Sequence, residues 1–404
     1  MKPVHYYYLT VGSWYLSFGI QSVAFAWLVT FVLEESAARV GIAQMCLLLP
    51  SVFLLLIGGA FADQYGGRKM AMIGQLVACL APLALTFSIF IGWFSYEVLL
   101  LFGLIIGSAQ AFITPARDGL LVEVAQGRIQ QLVVRVSLIQ FGIQTLGYLL
   151  AGMSDTIGAV IILSLQSFVL AIGFVAFWRL RVSETLAEAK QGISLTRHVV
   201  GSILEGYRSV IRSPAMRMVV LQSCAMGTFF MGSYLVTLPL LVREVYHGSS
   251  KELALINAAN SIGIVVTTLV LMYQGDLKRQ GRALLLAQGI ACFALASAAL
   301  NLGLPLLMAS LFVWGLCGGI SFSMARTIMQ EQAPPDQRAR MMSFYSLAFS
   351  GSSPLGALLC GLLASWFGSI ATLVIASTGM LVVILFVAMV SNLWQFTPVK
   401  EEHS

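Results

Sequence analysis

The chain has 404 residues, of which 58% are hydrophobic and only 10% charged, with a mean hydropathy of +0.89. A soluble domain carries about 25% charged residues, so this composition excludes a water-solvated surface and makes lipid the main solvent. The net charge of +6 then calls for a topological explanation before a nucleic-acid one.

Apolar stretches follow in chain order at residues 6–33, 40–62, 70–93, 97–116, 133–154, 157–179, 216–242, 252–273, 283–303, 305–329, 341–366 and 370–393. Each is near the roughly 20 residues that cross a bilayer core as helix. Helix is the required geometry, because hydrocarbon offers backbone groups no partner outside their own segment. The alternation of a membrane barrel is absent. The first stretch, after Met-Lys-Pro, reads as a span and not as a cleaved signal, since no small-residue cleavage site accompanies it. Between the sixth and seventh stretches lies the one long hydrophilic segment. Within it Ile203, Leu204, Tyr207, Val210 and Ile211 recur at helical spacing beside Arg208 and Arg212, the pattern of an amphipathic helix on a membrane surface. Pro214 ends that helix before the seventh span.

Basic residues set the orientation. With the N-terminus inside, 20 of the 23 Lys and Arg fall on that side, and Arg39, Arg243 and Lys251 fall outside. Both termini are therefore expected in the cytoplasm, and no nucleic-acid groove is expected. The six cysteines all sit in spans and read as small packing residues. The four histidines lie at or near loops and tails, so no metal site is expected. There is no phosphate-binding glycine loop, no nucleophile elbow and no zinc-helix motif. The sequence thus points away from an enzyme, and no cofactor is expected.

The chain repeats itself. Span four ends in Ala116-Arg117, followed by Glu123, and span ten ends in Ala325-Arg326, followed by Glu331, so the two arginines stand 209 positions apart. The expected fold is an all-α membrane protein of twelve transmembrane helices in two pseudo-symmetric six-helix bundles. Residues 1–180 form the first bundle and 181–215 a cytoplasmic connection carrying the amphipathic helix. Residues 216–404 form the second bundle.

After span two comes Gly59-Ala-Phe-Ala-Asp63-Gln-Tyr-Gly66-Gly-Arg68-Lys69. This resembles the loop signature of the major facilitator superfamily of transporters, although Gln64 stands where a basic residue is usual. Gly59 is expected to let helices approach closely and Gly66 to allow a tight turn. Asp63 is expected to pair with cations or helix N-termini at a cytoplasmic gate, with a purely topology-fixing loop as the alternative. PARDGLLVEVAQGR at 115–128 and the segment 330–368 resemble the bacterial drug, macrolide and siderophore exporter branch, which includes the enterobactin exporter. That resemblance implies a multi-pass protein of the bacterial inner membrane, a monomer, working by alternating access. It also implies proton-coupled export. One departure weakens the proton analogy: Gly147 is followed by Tyr148, where many antiporters have proline. Gly142 and Gly152 flank it and are expected to pack closely. Pro354, with Gly351, Gly356 and Gly361, looks like the better preserved counterpart in span eleven.

In this fold the substrate cavity is lined mainly by spans one, four, seven and ten. Its candidates are Ser17, Gln21, Gln110, Thr114, Thr228, Tyr234, Thr237, Trp314 and Ser321, with Gln140, Gln144, Asn257 and Asn260 from spans five and eight. For any one of these, helix-to-helix hydrogen bonding is the commoner role. No acid or base stands at mid-depth of any span, which implies an uncharged or amphipathic small-molecule substrate. Candidates for coupling or for a cytoplasmic gate are Arg117, Asp118, Glu123, Arg326 and Glu331, the two glutamates being more simply read as partners of the nearby arginines. Two other readings stand beside export: a flippase for a lysolipid or lipid-linked molecule, and a receptor or scaffold that no longer transports. Asp63→Asn is expected to slow turnover while leaving membrane insertion and folding intact. Wild-type transport by a well-folded Asp63→Asn protein contradicts the gating role.

Overall fold

The computed structural model describes residues 3–125, 129–181, 208, 210–274, 279–333 and 338–395. Its helices are α1 (Pro3–Trp27), α2 (Ala37–Tyr65), α3 (Gly67–Phe90), α4 (Tyr96–Ala125), α5 (Ile129–Ala151), α6 (Ala159–Arg179), α7 (Pro214–Ala225), α8 (Ser250–Gln274), α9 (Gln280–Ser297), α10 (Leu304–Gln332) and α11 (Arg338–Val390). π-helical segments extend α1 over Leu28–Val32 and α7 over Met226–Met231 and Ser233–Thr237. Short helices lie at Ser154–Ile157 and Leu238–Glu244. No strand occurs among the described residues. The amphipathic segment lies outside the described residues except at its end, where 210–212 are helical. Ser213 then caps α7, its hydroxyl accepting from the Met216 amide at 3.4 Å, with Pro214 in the first turn.

Ten described stretches are long and apolar enough to cross a membrane. One of them, Phe344–Val390, covers most of predicted spans eleven and twelve, separated where Gly368 leaves helical geometry at φ 81°, ψ 167°. α5, 23 residues long, lies outside the ten. Helix ends differ from the apolar stretches for a simple reason. Hydropathy stops at the first charge, but a helix continues into the interface until its backbone is broken. Predicted span four stopped at 116, whereas α4 runs to Ala125, so Arg117, Asp118 and Glu123 all lie within a helix. α10 runs to Gln332, so that Glu331 joins Arg326 within the helix.

The chain divides into two compact units. The first is Met1–Val199 with Pro239–Ala258, and the second is Val200–Leu238 with Ala259–Ser404. In the first unit α1 packs on α5 and α6, α2 on α4, and α3 on α4 and α6. In the second, α9 packs on α10, and α11 packs on α7 and its first π-helical segment.

Lipid tails are as apolar as leucine, so helices in a bilayer associate through close packing and polar contacts. The closest approaches here are backbone to backbone. A Cβ on Gly19 of α1 would overlap the Gln144 carbonyl of α5, and one on Gly147 would overlap the Leu16 carbonyl. A Cβ on Gly107 of α4 would likewise overlap the Leu47 carbonyl of α2. The second unit repeats both crossings: Gly356 of α11 meets the Thr228 carbonyl, and Gly315 of α10 meets the Asn260 carbonyl. The internal repeat is thus a repeat of crossing points.

Two glycine expectations need correction. A Cβ on Gly59 would stand 3.7 Å from Pro115 Cβ, an ordinary contact; the tight approach is made one residue earlier, by Gly58 against Ala111. A Cβ on Gly142 would meet nothing within 4 Å, whereas one on Gly152 would press on Ala254. Glycine density marks a packed helix, but which glycine faces the partner depends on rotation about the helix axis. Replacing Gly107 with alanine is expected to destabilise the protein by about 1–3 kcal/mol through overpacking. Gly142→Ala is expected to leave stability unchanged or slightly raised, through helix propensity. Thermal unfolding in detergent checks both, and equal losses contradict the assigned crossings.

Candidate functional site

The loop signature is anchored from below by a buried cluster. Tyr7 and Val11 of α1, Ala62, Ala71, Ala116, Leu120, Phe177 and Leu180 pack together, with Val124 and Leu132 nearby. α2 ends as Gly66 adopts φ 92°, a conformation that suits glycine, and α3 begins at the next residue. Arg68 then turns toward α6. Its Nε donates to the Phe177 carbonyl at 3.0 Å and its Nη2 to the Trp178 carbonyl at 2.6 Å. Those carbonyls belong to the last turn of α6, where the helix leaves acceptors unused and carries partial negative charge. Arg68 is therefore a C-terminal clamp within the first unit. Lys69 is exposed. Asp63 sits in the last turn of α2, three residues before Gly66.

Arg117 stands beside this cluster and is 4% exposed. Its Nη2 donates to the Tyr15 hydroxyl at 3.1 Å, and its guanidinium carbon lies 4.8 Å from the Tyr15 ring centroid. The Tyr7 hydroxyl donates to the Arg117 carbonyl at 3.1 Å. The Asp118 carboxylate is 3.9 Å from Arg117 Nε, but Asp118 itself is exposed. The cation is thus held chiefly by an aromatic face and a hydroxyl from α1, contacts that tolerate partial desolvation. Tyr7 and Tyr15 escaped the sequence reading, in which the run of tyrosines at 6–8 reads as part of an apolar span. Glu331 accepts from Gln280 Nε2 at 2.8 Å, an amide contact where an arginine partner was expected, and Arg326 is exposed.

The polar residues of α1 face α6 and α3. Gln166 of α6 donates to Gln21 Oε1 at 2.7 Å and to Ser17 Oγ at 3.3 Å. Gln75 of α3 donates to the Leu170 carbonyl at 3.1 Å and to Ser13 Oγ at 3.4 Å. Ser13, Ser17 and Gln21 recur every fourth residue, one stripe of a helix. Gln166 and Gln75 were missed, because a single glutamine in an apolar span carries no sign of the helix it reaches.

The remaining first-unit candidates are distributed. Gln144, buried, donates to the Tyr148 hydroxyl on its own helix, and Asn257 donates to the Leu253 carbonyl at 2.7 Å. Gln110, Thr114 and Gln140 are half-buried. In the second unit Asn260 donates to the Leu311 carbonyl at 3.2 Å, and Ser321 to the Cys317 carbonyl at 2.8 Å. Both tie helices or turns together.

Three second-unit residues do come together. The rings of Phe230 and Trp314 lie edge to face with centroids 5.6 Å apart, and Tyr234 is tilted against Trp314 at 5.7 Å. Phe230, Tyr234, Thr228 and Thr237 all lie in the two π-helical segments after α7. A π-helical turn widens the hydrogen-bonding ring and rotates the side chains that follow, and such turns concentrate at functional sites. Hydropathy cannot reveal them. Gln21 is expected to act as helix glue with Gln166. Gln21→Leu alone should cost about 1–3 kcal/mol by stranding Gln166, and the double variant Gln21→Leu/Gln166→Leu should recover most of it. A thermal-unfolding double-mutant cycle measures this, and additive losses contradict the pairing.

Residues 9–402 match a family described as transmembrane secretion effector. The multidrug efflux pump Tap of Mycolicibacterium fortuitum is 26% identical over 373 residues, covering 90% of this chain and 89% of its own. Among solved structures, the nucleoside transporter NupG superposes with a TM-score of 0.75 at 13% identity, covering 98% of this chain and all of NupG. A POT family transporter in complex with 5-aminolevulinic acid gives 0.74 at 12% identity, covering 96% of this chain and 95% of that one. At these identities the structures speak to fold alone.

Proposed function

Because the chain belongs to the transmembrane secretion effector family and is a membrane transporter of the major facilitator type, we propose that it exports an amphipathic small molecule in exchange for protons. The observation that carries this reading is the chemistry of the spans. Their mid-depth polar groups are amides, hydroxyls and aromatic rings, without a carboxylate or ammonium that would select a charged solute. Efflux by the relative Tap, across nearly the whole of both chains, supports the direction.

In this reading the Phe230–Tyr234–Trp314 group supplies shape and aromatic contact to the apolar part of the substrate. Thr228, in the same π-helical stretch, supplies a hydrogen bond. The protein alternates between states that expose that site first to the cytoplasm and then outside. Coupling falls to acids at the cytoplasmic rim, among which are Asp63, Asp118 and Glu123. The protein works as a monomer in the bacterial inner membrane, with both termini in the cytoplasm.

The test is proton movement in energised inside-out vesicles, followed with a pH-sensitive dye while amphipathic drugs, siderophores and lysolipids are added in turn. Export predicts a compound-specific collapse of the gradient. Collapse with lysolipids alone favours lipid flipping, and no response to any compound contradicts drug export. Trp314→Ala should weaken the apparent affinity for responding compounds by about tenfold with normal expression; an unchanged compound profile removes Trp314 from the site.

A further inference from the structure

The first unit includes residues 239–258, which are remote in sequence from the rest of it. A small set of polar contacts holds them there. Asp155 lies in the one-turn helix Ser154–Ile157 between α5 and α6. Its Oδ2 accepts from the Ser250 amide at 2.7 Å and from the Ser250 hydroxyl at 2.6 Å. Its Oδ1 accepts from the indole Nε1 of Trp27 at 2.7 Å. One carboxylate thus joins the start of α8 to the end of α1. Ser250 Oγ also reaches the Gly152 carbonyl at 3.0 Å.

A second fastening lies nearby. Arg243, in Leu238–Glu244, donates through Nη1 to the Thr30 carbonyl at 2.8 Å and to the Glu35 carbonyl at 3.1 Å. Thr30 lies in the π-helical segment that ends α1, and Glu35 just beyond it. The contacts are charge-assisted and directional, and their acceptors are mostly single atoms at helix ends. Partial burial pushes the Asp155 carboxyl up, but the bonds from Ser250 and Trp27 outweigh it and hold the carboxyl below its usual range.

The neighbouring backbone is strained. Among the described residues three without glycine's freedom have positive φ: Glu34 at 50°, His247 at 47° and Asn301 at 50°. Two of these, Glu34 and His247, flank the fastened segments. Single non-glycine residues in the left-handed region are costly and persist where their surroundings hold them, as the fastening does here. Asp155 itself is exposed, so water can replace its partners when the segment moves away.

We propose that Asp155 with Trp27 and Ser250, and Arg243 with the carbonyls ending α1, form a latch on the face opposite the Gly66 loop, which closes that side and must open in each transport cycle. This rests on the transporter reading, in which the loop of Gly66 is cytoplasmic. The latch is a device distinct from that loop: its residues come from the α1 end, the α5–α6 turn and segment 239–258.

Two measurements test it. The first is hydrogen–deuterium exchange of the purified full chain, which needs no substrate. Asp155→Ala and Arg243→Gln are expected to raise exchange of peptides covering 27–36 and 239–258 by about three- to tenfold, the range for charge-assisted bonds with solvent screening, while α3 and α6 peptides stay unchanged. Unaltered exchange in both variants overturns the latch, as does a rise spread evenly over the chain. The second is Asp155→Cys/Ser250→Cys, which puts a covalent bond in place of the hydrogen bonds. Oxidation is expected to stop transport of any compound found active in the vesicle assay, and a reductant to restore it. Continued transport by fully cross-linked protein overturns the gate. If no compound moves in the wild type, drug export fails while the exchange measurement still decides the latch.

Discussion

A backbone amide in hydrocarbon can bond only to its own helix, and that constraint governs the molecule. It forces the spans to be helical and removes the ordinary hydrophobic drive for packing them. What remains is contact at short range. The chain meets this with glycines set against carbonyls, Gly19 and Gly147 at one crossing and Gly107 against Leu47 at another. The same arrangement recurs at Gly356 and Gly315 in the second unit. Side chains at such points would hold the helices apart and weaken every other contact between them.

Polar groups are placed against the same background. Ser13, Ser17 and Gln21 make one stripe on α1 that is met by Gln75 and Gln166. This fixes the rotation of α1 against α3 and α6, because a small turn about the axis would strand all three. Arg68 on the α6 carbonyls and Arg117 against Tyr15 do the same work nearer the helix ends. The backbone departs from regular helix at the π-helical segments Leu28–Val32, Met226–Met231 and Ser233–Thr237 and at the positive-φ residues Glu34 and His247. Phe230 and Tyr234, the partners of Trp314, sit on two of these segments, which ties the proposed substrate contact to irregular backbone.

Much of the fold was legible because hydropathy is a one-dimensional signal: a span announces itself without reference to its neighbours. The turn at Gly66 was legible for a similar local reason. Rotation about a helix axis was not. Gly58, and not its neighbour Gly59, makes the close contact with Ala111, and Gly142 packs on nothing. Pairings across distant sequence were hidden too. Nothing local to Gln166 names Gln21, 145 positions away, and nothing local to Asp155 names Trp27 or Ser250. The end of α4 falls nine residues beyond the predicted span because charge does not end a helix: Arg117 simply marks where it reaches the interface. The π-helical segments have the composition of ordinary spans, so backbone coordinates alone reveal them.

The central claim is that the chain moves an amphipathic compound uphill at the expense of a proton gradient. The most direct measurement is accumulation of one labelled compound in proteoliposomes holding the purified protein, with an acid interior imposed and no other energy source. The account predicts accumulation above equilibrium that collapses when a protonophore is added. Accumulation that never exceeds equilibrium, or that is indifferent to the protonophore, contradicts proton-coupled export.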